Sequence, residues 1–216
     1  MPDHLPATHP APSFLPVRLG IHGSPGLARR IVAQAGLRDE DVHWVPYDVS
    51  APFRELSAGE ADVMVIKYEV REPGLAVSRP VLHDGRAAIV GAHHPLARRA
   101  SVSLDELADY DGFRCPGSFP GYVWDRVVPP HTPSGRPIRR IHPMTTVDGM
   151  AAVLARTDAV HISFQSLDAL VPPGIAVVPV HDMPPAPVAL CWLRNAGLPP
   201  HAARFVAAAE AGALPC

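Results

Sequence analysis

The chain has 216 residues, 47% of them hydrophobic, which is enough for one large domain or two small lobes around a sizeable core. Its 19 basic and 21 acidic residues give a formal net charge of −2, so no basic surface marks a polyanion partner. No apolar run is long enough to cross a bilayer, and residues 1–16, rich in Pro, Ala and His, lack the basic start and apolar core of a secretion signal.

Residues 1–16 are therefore read as a flexible leader and the chain as cytoplasmic. In that compartment Cys115, Cys191 and Cys216 are free thiols. Their spacing is not that of metal ligands, and no HExxH, CxxC or three-His pattern occurs, so no metal is expected. The absence of a P-loop, a GxGxxG turn and a GxSxG elbow argues against a nucleotide cofactor or a serine hydrolase, and no cofactor is expected.

The body begins with an apolar strand over 17–22. Gly23, Ser24 and Pro25 then place a tight turn, an N-cap and a first-turn proline before a helix over 27–35 that Gly36 ends. Residues 42–47 form a second strand. Ser50 caps a short helix over 51–58, and 61–66 make a third, nearly all-apolar strand suited to a parallel sheet covered on both faces. An extended segment over 75–82 and a strand over 86–92 follow. Ser103 and Glu106 make a capping box that opens a helix running to Tyr110.

A new set of elements comes next. Strands are expected at 112–115, 138–141, 159–164, 175–180 and 188–194. Helices are expected at 122–128, at 147–156 with Thr145 or Thr146 as cap, at 166–170, and at 201–211. Strands alternating with short helices indicate an α/β fold, and the strand count calls for two sheets.

Three stretches taken together carry a resemblance. The run LAVSRPVLHDGRAAIVGAHHPLARRASVSLDELADY over 75–110 is similar to the effector-binding domain of LysR-type transcriptional regulators, in which an HPLA turn follows a strand and precedes a Leu-rich helix. FRELSAGEADVMVI over 53–66 and TTVDGMAAVLARTDAVHISFQS over 145–166 resemble that family's elements in the same order.

The resemblance implies a two-lobed, type 2 periplasmic-binding-protein-like α/β fold. The ligand cleft would lie between the lobes, lobe I being 17–80 plus 185–216 and lobe II 81–184. It also implies small-molecule binding by a sensor or carrier, and pairing of two copies as a homodimer. Two departures stand out. Sixteen residues before the first strand are too few for the family's helix-turn-helix, so no direct nucleic-acid contact is expected. The bulky, polar run Val160-His161-Ile162-Ser163-Phe164-Gln165 replaces a glycine and a Leu-Pro pair frequent in the family, which puts the family's ligand contacts there in doubt.

Candidate ligand contacts follow from element ends. Ser24 and Pro25 stand at the first helix start, where free N–H groups favour an anion. Ser50 and Thr145 or Thr146 read first as plain caps and second as ligand contacts. Lys67 and Tyr68 end the third strand, and the resemblance places them near the ligand. Ser118, Phe119 and Tyr122 lie in and beside a Gly/Pro loop, and Ser163 and Gln165 in the atypical late strand.

The expected ligand is a carboxylate-bearing or aromatic metabolite. An anionic or strongly polar group would be held at Ser24, with Ser118 and Thr146 converging from the facing lobe. An alternative is an enzyme on the same scaffold, performing dehydration, ring formation or other acid/base chemistry in small-molecule biosynthesis. Its candidate acid/base set is His22, Asp48 and His161.

Overall fold

The computed structural model describes residues 15–23, 25–144 and 146–213. In chain order, β1 (Val17–Ile21), α1 (Pro25–Gln34), β2 (Val42–Pro46), α2 (Arg54–Ser57) and β3 (Val63–Lys67) come first. They are followed by β4 (Leu75–Val77), β5 (Leu82–Asp84), β6 (Arg86–Gly91), α3 (Leu104–Leu107), β7 (Gly112–Phe113) and α4 (Gly121–Val127). The chain closes with β8 (Arg140–His142), α5 (Val147–Leu154), β9 (His161–Phe164), a 3-10 turn (Gln165–Ala169), β10 (Ile175–Pro179), β11 (Ala186–Leu193) and α6 (Pro200–Ala211).

The first sheet has the order β2-β1-β3-β11-β4, and β5 also pairs with β11. β1 runs parallel to β2 and β3, whereas β11 runs antiparallel to β3, β4 and β5. The apolar strand β3 is thus parallel on one edge only. It is buried because both its faces are covered. β1 and β3 approach closely at Gly20, where a Cβ would fall 2.4 Å from Met64 Cγ. The second sheet, β10-β6-β9, is antiparallel throughout, and β7 and β8 form a small parallel pair.

Two helices cover one face of the first sheet. α1 buries Leu27, Ala28, Ile31 and Val32, and α6 buries Ala202, Phe205, Val206 and Ala209, the spacing of a helix stripe. Both stripes pack on Leu19, Val63 and Leu190. A second core joins the two sheets, with Met64 and Ile66 of β3 in one cluster with Ala88 and Val90 of β6, Trp124 of α4 and Ile162 of β9. Beyond β6, Ile89, Phe113, Met150 and the fully buried Leu154 form a third. Each such buried Leu or Ile contributes roughly 1.5–3 kcal/mol.

The expected elements are present, with shifted ends. The extended segment 75–82 divides into β4 and the start of β5 around Ser78, whose N–H donates to Leu190 O and whose hydroxyl accepts from Leu190 N, so both pieces stay on β11. β5 therefore still belongs to the first sheet. The chain passes to the second sheet at Gly85 and returns between Pro179 and Ala186.

The Ser103–Glu106 capping box forms as expected, though its helix ends at Leu107. The helix expected over 51–58 shrinks to α2, and Ser50 does not cap it. Asp48 takes over this turn instead. Its carboxylate accepts from Ser50 N at 2.8 Å and its carbonyl from Ala51 N at 3.0 Å, which folds the chain before a helix can begin.

Candidate functional site

A cavity of about 600 Å³ lies between the two sheets. On one side it meets the ends of β1, β2 and β3, and on the other α4, the start of α5, and β9 with the turn that follows it. This matches the general rule that ligands of α/β sheets bind beyond the strands' carboxyl ends. Most of the wall is apolar or aromatic: Ile21, Tyr47, Phe53, Val65, Phe119, Trp124, Met144 and Phe164 all contribute.

Of the residues proposed from sequence, His22, Asp48, Lys67, Phe119, Thr146, His161 and Ser163 line this cavity. Pro25, Ser50, Tyr68, Ser118, Tyr122 and Gln165 are not part of its wall. Ser24 and Thr145 lie outside the described residues, as do residues 1–14 of the leader and Cys216.

The residues off the wall are engaged with protein. The Ser118 hydroxyl donates to Ser50 O at 2.6 Å, and the Ser118 N–H donates to the same oxygen at 2.8 Å. Tyr122 donates to Glu72 Oε2 at 2.8 Å, accepts from Arg71 N at 2.6 Å, and lies under the Arg71 guanidinium. Gln165 lies against Gly85. Of the three donors expected to converge on an anion, Ser24 lies outside the described residues, Thr146 lines the cavity and Ser118 does not. Ser118 is bonded across the cleft, and the Thr146 hydroxyl caps α5 by accepting from Gly149 N at 3.0 Å.

Lys67, at the end of β3, is neither a solvated charge nor an open anion site. Its Nζ lies 3.0 Å from Asp84 Oδ2 and 3.0 Å from Ser166 Oγ, over the Phe164 ring at 4.1 Å. Burial pushes its pKa below the usual lysine value, and Asp84 opposes that shift. Tyr68 follows with a positive φ of 66°, a strained backbone for a tyrosine. Its hydroxyl accepts from the buried Arg86. Arg86 also donates from Nε to Ser163 O at 3.1 Å and from its two terminal nitrogens to Arg126 O and Val127 O. One buried guanidinium thus ties β3, β9 and the end of α4 together behind the cavity.

The acid/base candidates surround the cavity without forming a unit. Among the described residues no hydrogen bond links His22, Asp48 and His161. His22 presents an exposed ring whose Nδ1 faces Tyr47 O at 3.2 Å; the surrounding protein nonetheless lowers its pKa. Asp48 is held below the usual carboxylate range, first by the Ser50 N–H. His161 is buried, stacked 6.1 Å from Trp124 and edge-on to Phe113 at 5.5 Å, and burial drives its pKa down to about 3. Its Nδ1 and the Trp124 Nε1 have no hydrogen-bond partner. At neutral pH His161 is an uncharged ring.

The two described cysteines, Cys115 and Cys191, are not activated as nucleophiles. Cys115 does not line the cavity, its thiol donates to Phe119 O at 3.3 Å, and burial raises its pKa. Cys191 is fully buried and pushed up to about 12. Among the described residues, no group of three His, Cys, Asp or Glu side chains is arranged to hold a metal ion. Sequence reasoning missed Phe53, Glu55, Trp124 and Arg86. The signal for Arg86 was present, a lone charge opening an otherwise apolar strand.

A family model described as LysR substrate binding domain matches residues 25–213. Among solved structures, the chain is similar to CbnR, a LysR family transcriptional regulator, with a TM-score of 0.67 at 18% identity over 89% of this chain and 68% of that one. It is also similar to the effector binding domain of QuiR in complex with shikimate, with a TM-score of 0.65 at 16% identity over 91% of this chain and 96% of that one. The BenM effector binding domain with its effector benzoate gives a TM-score of 0.61 at 17% identity, over 90% of each chain. At these identities the likeness is one of fold. No curated protein sequence matches the chain.

Proposed function

This chain belongs to the LysR substrate-binding domain family and has its two-lobed, type 2 periplasmic-binding-protein-like fold; from that premise we propose that it senses or carries one small organic molecule, held in the cavity between the sheets. The observation that carries this reading is the cavity itself. Its volume of about 600 Å³ lies within the range of roughly 300–1,000 Å³ usual for small-molecule sites, and its wall is mostly apolar with a few polar groups.

Its neighbours support a ring compound as the first class to try, since QuiR was solved with shikimate and BenM with benzoate. We draw the lobes as 17–80 plus 185–216 and 81–184. The crossing at Gly85 argues for moving β5 into the first lobe. We further propose a cytoplasmic homodimer whose own surface makes no direct contact with nucleic acid. In support, the chain carries no basic excess, and no helix among the described residues is long and apolar enough to cross a membrane.

Calorimetry against a metabolite panel tests the binding role. A ligand recovered unchanged, binding once per chain, is expected. Val49→Trp should abolish its binding by filling the cavity wall at a partly exposed position. Heat that survives Val49→Trp places binding elsewhere. The enzyme reading has less support, because His161 is uncharged and the three candidates form no hydrogen-bonded relay.

A further inference from the structure

The charges around the cavity narrow the ligand further, on the footing of the binding role just proposed. Among the described residues, two basic side chains line the wall, Lys67 and Arg54. Both are committed. Lys67 pairs with Asp84 at 3.0 Å, and Arg54 reaches Glu55 at 2.8 Å and Glu60 at 3.5 Å. The surrounding protein shifts both wall histidines toward the neutral form, His161 through full burial.

Two carboxylates also face this space. Among the described residues Asp48 has no ion-pair partner, and the buried Glu55 has one oxygen without a hydrogen-bond partner. An incoming carboxylate would lose its water and meet no uncommitted cation among the described residues, while Asp48 repels it. An incoming ammonium would gain from Asp48 and Glu55, but it would have to give up its water in a mostly apolar space beside the already paired Lys67 ammonium, and that desolvation outweighs the gain.

The rest of the wall suits an uncharged body. Phe53, Phe119 and Trp124 offer flat apolar surface, and the hydroxyls of Ser163 and Ser166 offer neutral hydrogen bonding. A cavity of about 150 Å³ holds one benzene ring, so about 600 Å³ leaves room for considerably more than one ring. We infer that the cavity takes an electrically neutral ligand with an apolar body larger than a single ring, recognised by neutral hydrogen-bonding groups.

Three probes of one shape test this with the native chain at pH 7.5: 2-naphthamide, 2-naphthoate and 2-naphthylmethylammonium, each titrated by calorimetry. The amide should bind at least about tenfold more tightly than either ion. Asp84→Asn, which leaves the Lys67 charge without its carboxylate, should then move the preference at least about tenfold toward naphthoate. If that variant does not fold, the native series decides alone. Equal or tighter binding of naphthoate or the ammonium by the native chain overturns the inference and leaves the binding role standing. Silence from all three probes overturns it as well, and the binding role then rests on the metabolite panel.

Discussion

Ser118 grips the Ser50 carbonyl oxygen twice, with its hydroxyl at 2.6 Å and its N–H at 2.8 Å, joining the loop before α4 to the loop after β2. These loops lead into opposite sides of the cavity, where Phe119 on one and Phe53 on the other both line the wall. Closure over a ligand therefore has an identifiable contact. Ser118→Ala removes the hydroxyl bond and keeps the N–H bond. A neutral hydrogen bond contributes roughly 0.5–1.5 kcal/mol, so ligand affinity should fall roughly twofold to tenfold with little change in melting temperature. Titration of the variant beside the native chain checks this, and an unchanged affinity would uncouple the clasp from binding.

Gly117 makes the same contact sterically demanding. Its φ is +43°, and an added Cβ would lie 2.6 Å from Ser50 O and 2.7 Å from Ser50 Cβ. Gly117→Ala should therefore weaken closure more than Ser118→Ala does, by at least about 1 kcal/mol, through both the backbone strain and the clash. The two variants measured side by side give the ranking, and the reverse order would show that the loops part easily.

The Lys67–Asp84 pair predicts an asymmetric response. Lys67→Met leaves the buried Asp84 carboxylate without its cation, and removing one partner of a buried pair costs about 3–5 kcal/mol. The double variant Lys67→Met/Asp84→Val should recover most of that loss, since an apolar pair needs no desolvation of charge. Urea unfolding of the native chain, both single variants and the double variant forms the cycle. A double variant as unstable as the sum of the singles would mean the two residues act independently.

His161 gives the stability a pH dependence of known sign. Its unfolded imidazole takes a proton near pH 6.5, while the folded one does so only at about 3. Between those values the unfolded chain binds more protons, so stability is present above pH 6.5 and is lost as the pH falls, by up to about 1.4 kcal/mol per unit from this residue. The lowered pKa values of His22 and His94 act in the same direction. His161→Leu should reduce the slope of unfolding free energy against pH between 6 and 4 by close to one proton. An unchanged slope would mean that His161 titrates normally.

Much of the fold was legible because it is written in local chemistry. The capping box at Ser103 and Glu106, the cap at Thr146 and the buried stripes of α1 and α6 each follow from a few neighbouring residues. The site was less legible because its decisive features join distant segments. Ser118 looked like a donor waiting for a ligand, and only the fold brings Ser50 to it across 68 positions. Lys67 looked open until Asp84 and Ser166 met it from separate strands and turns. His161 looked like an acid/base group, and burial beside Trp124 and Phe113 made it a neutral part of the wall.

The binding role is decided by a co-crystal structure with the tightest ligand from the metabolite panel. One unaltered molecule per chain is expected, enclosed between Phe53 on the first-sheet side and Trp124 with Ser163 on the other, with the Ser118–Ser50 contact intact. A ligand seated outside this cavity, or one found chemically converted within it, would rule out a binding role for the cavity.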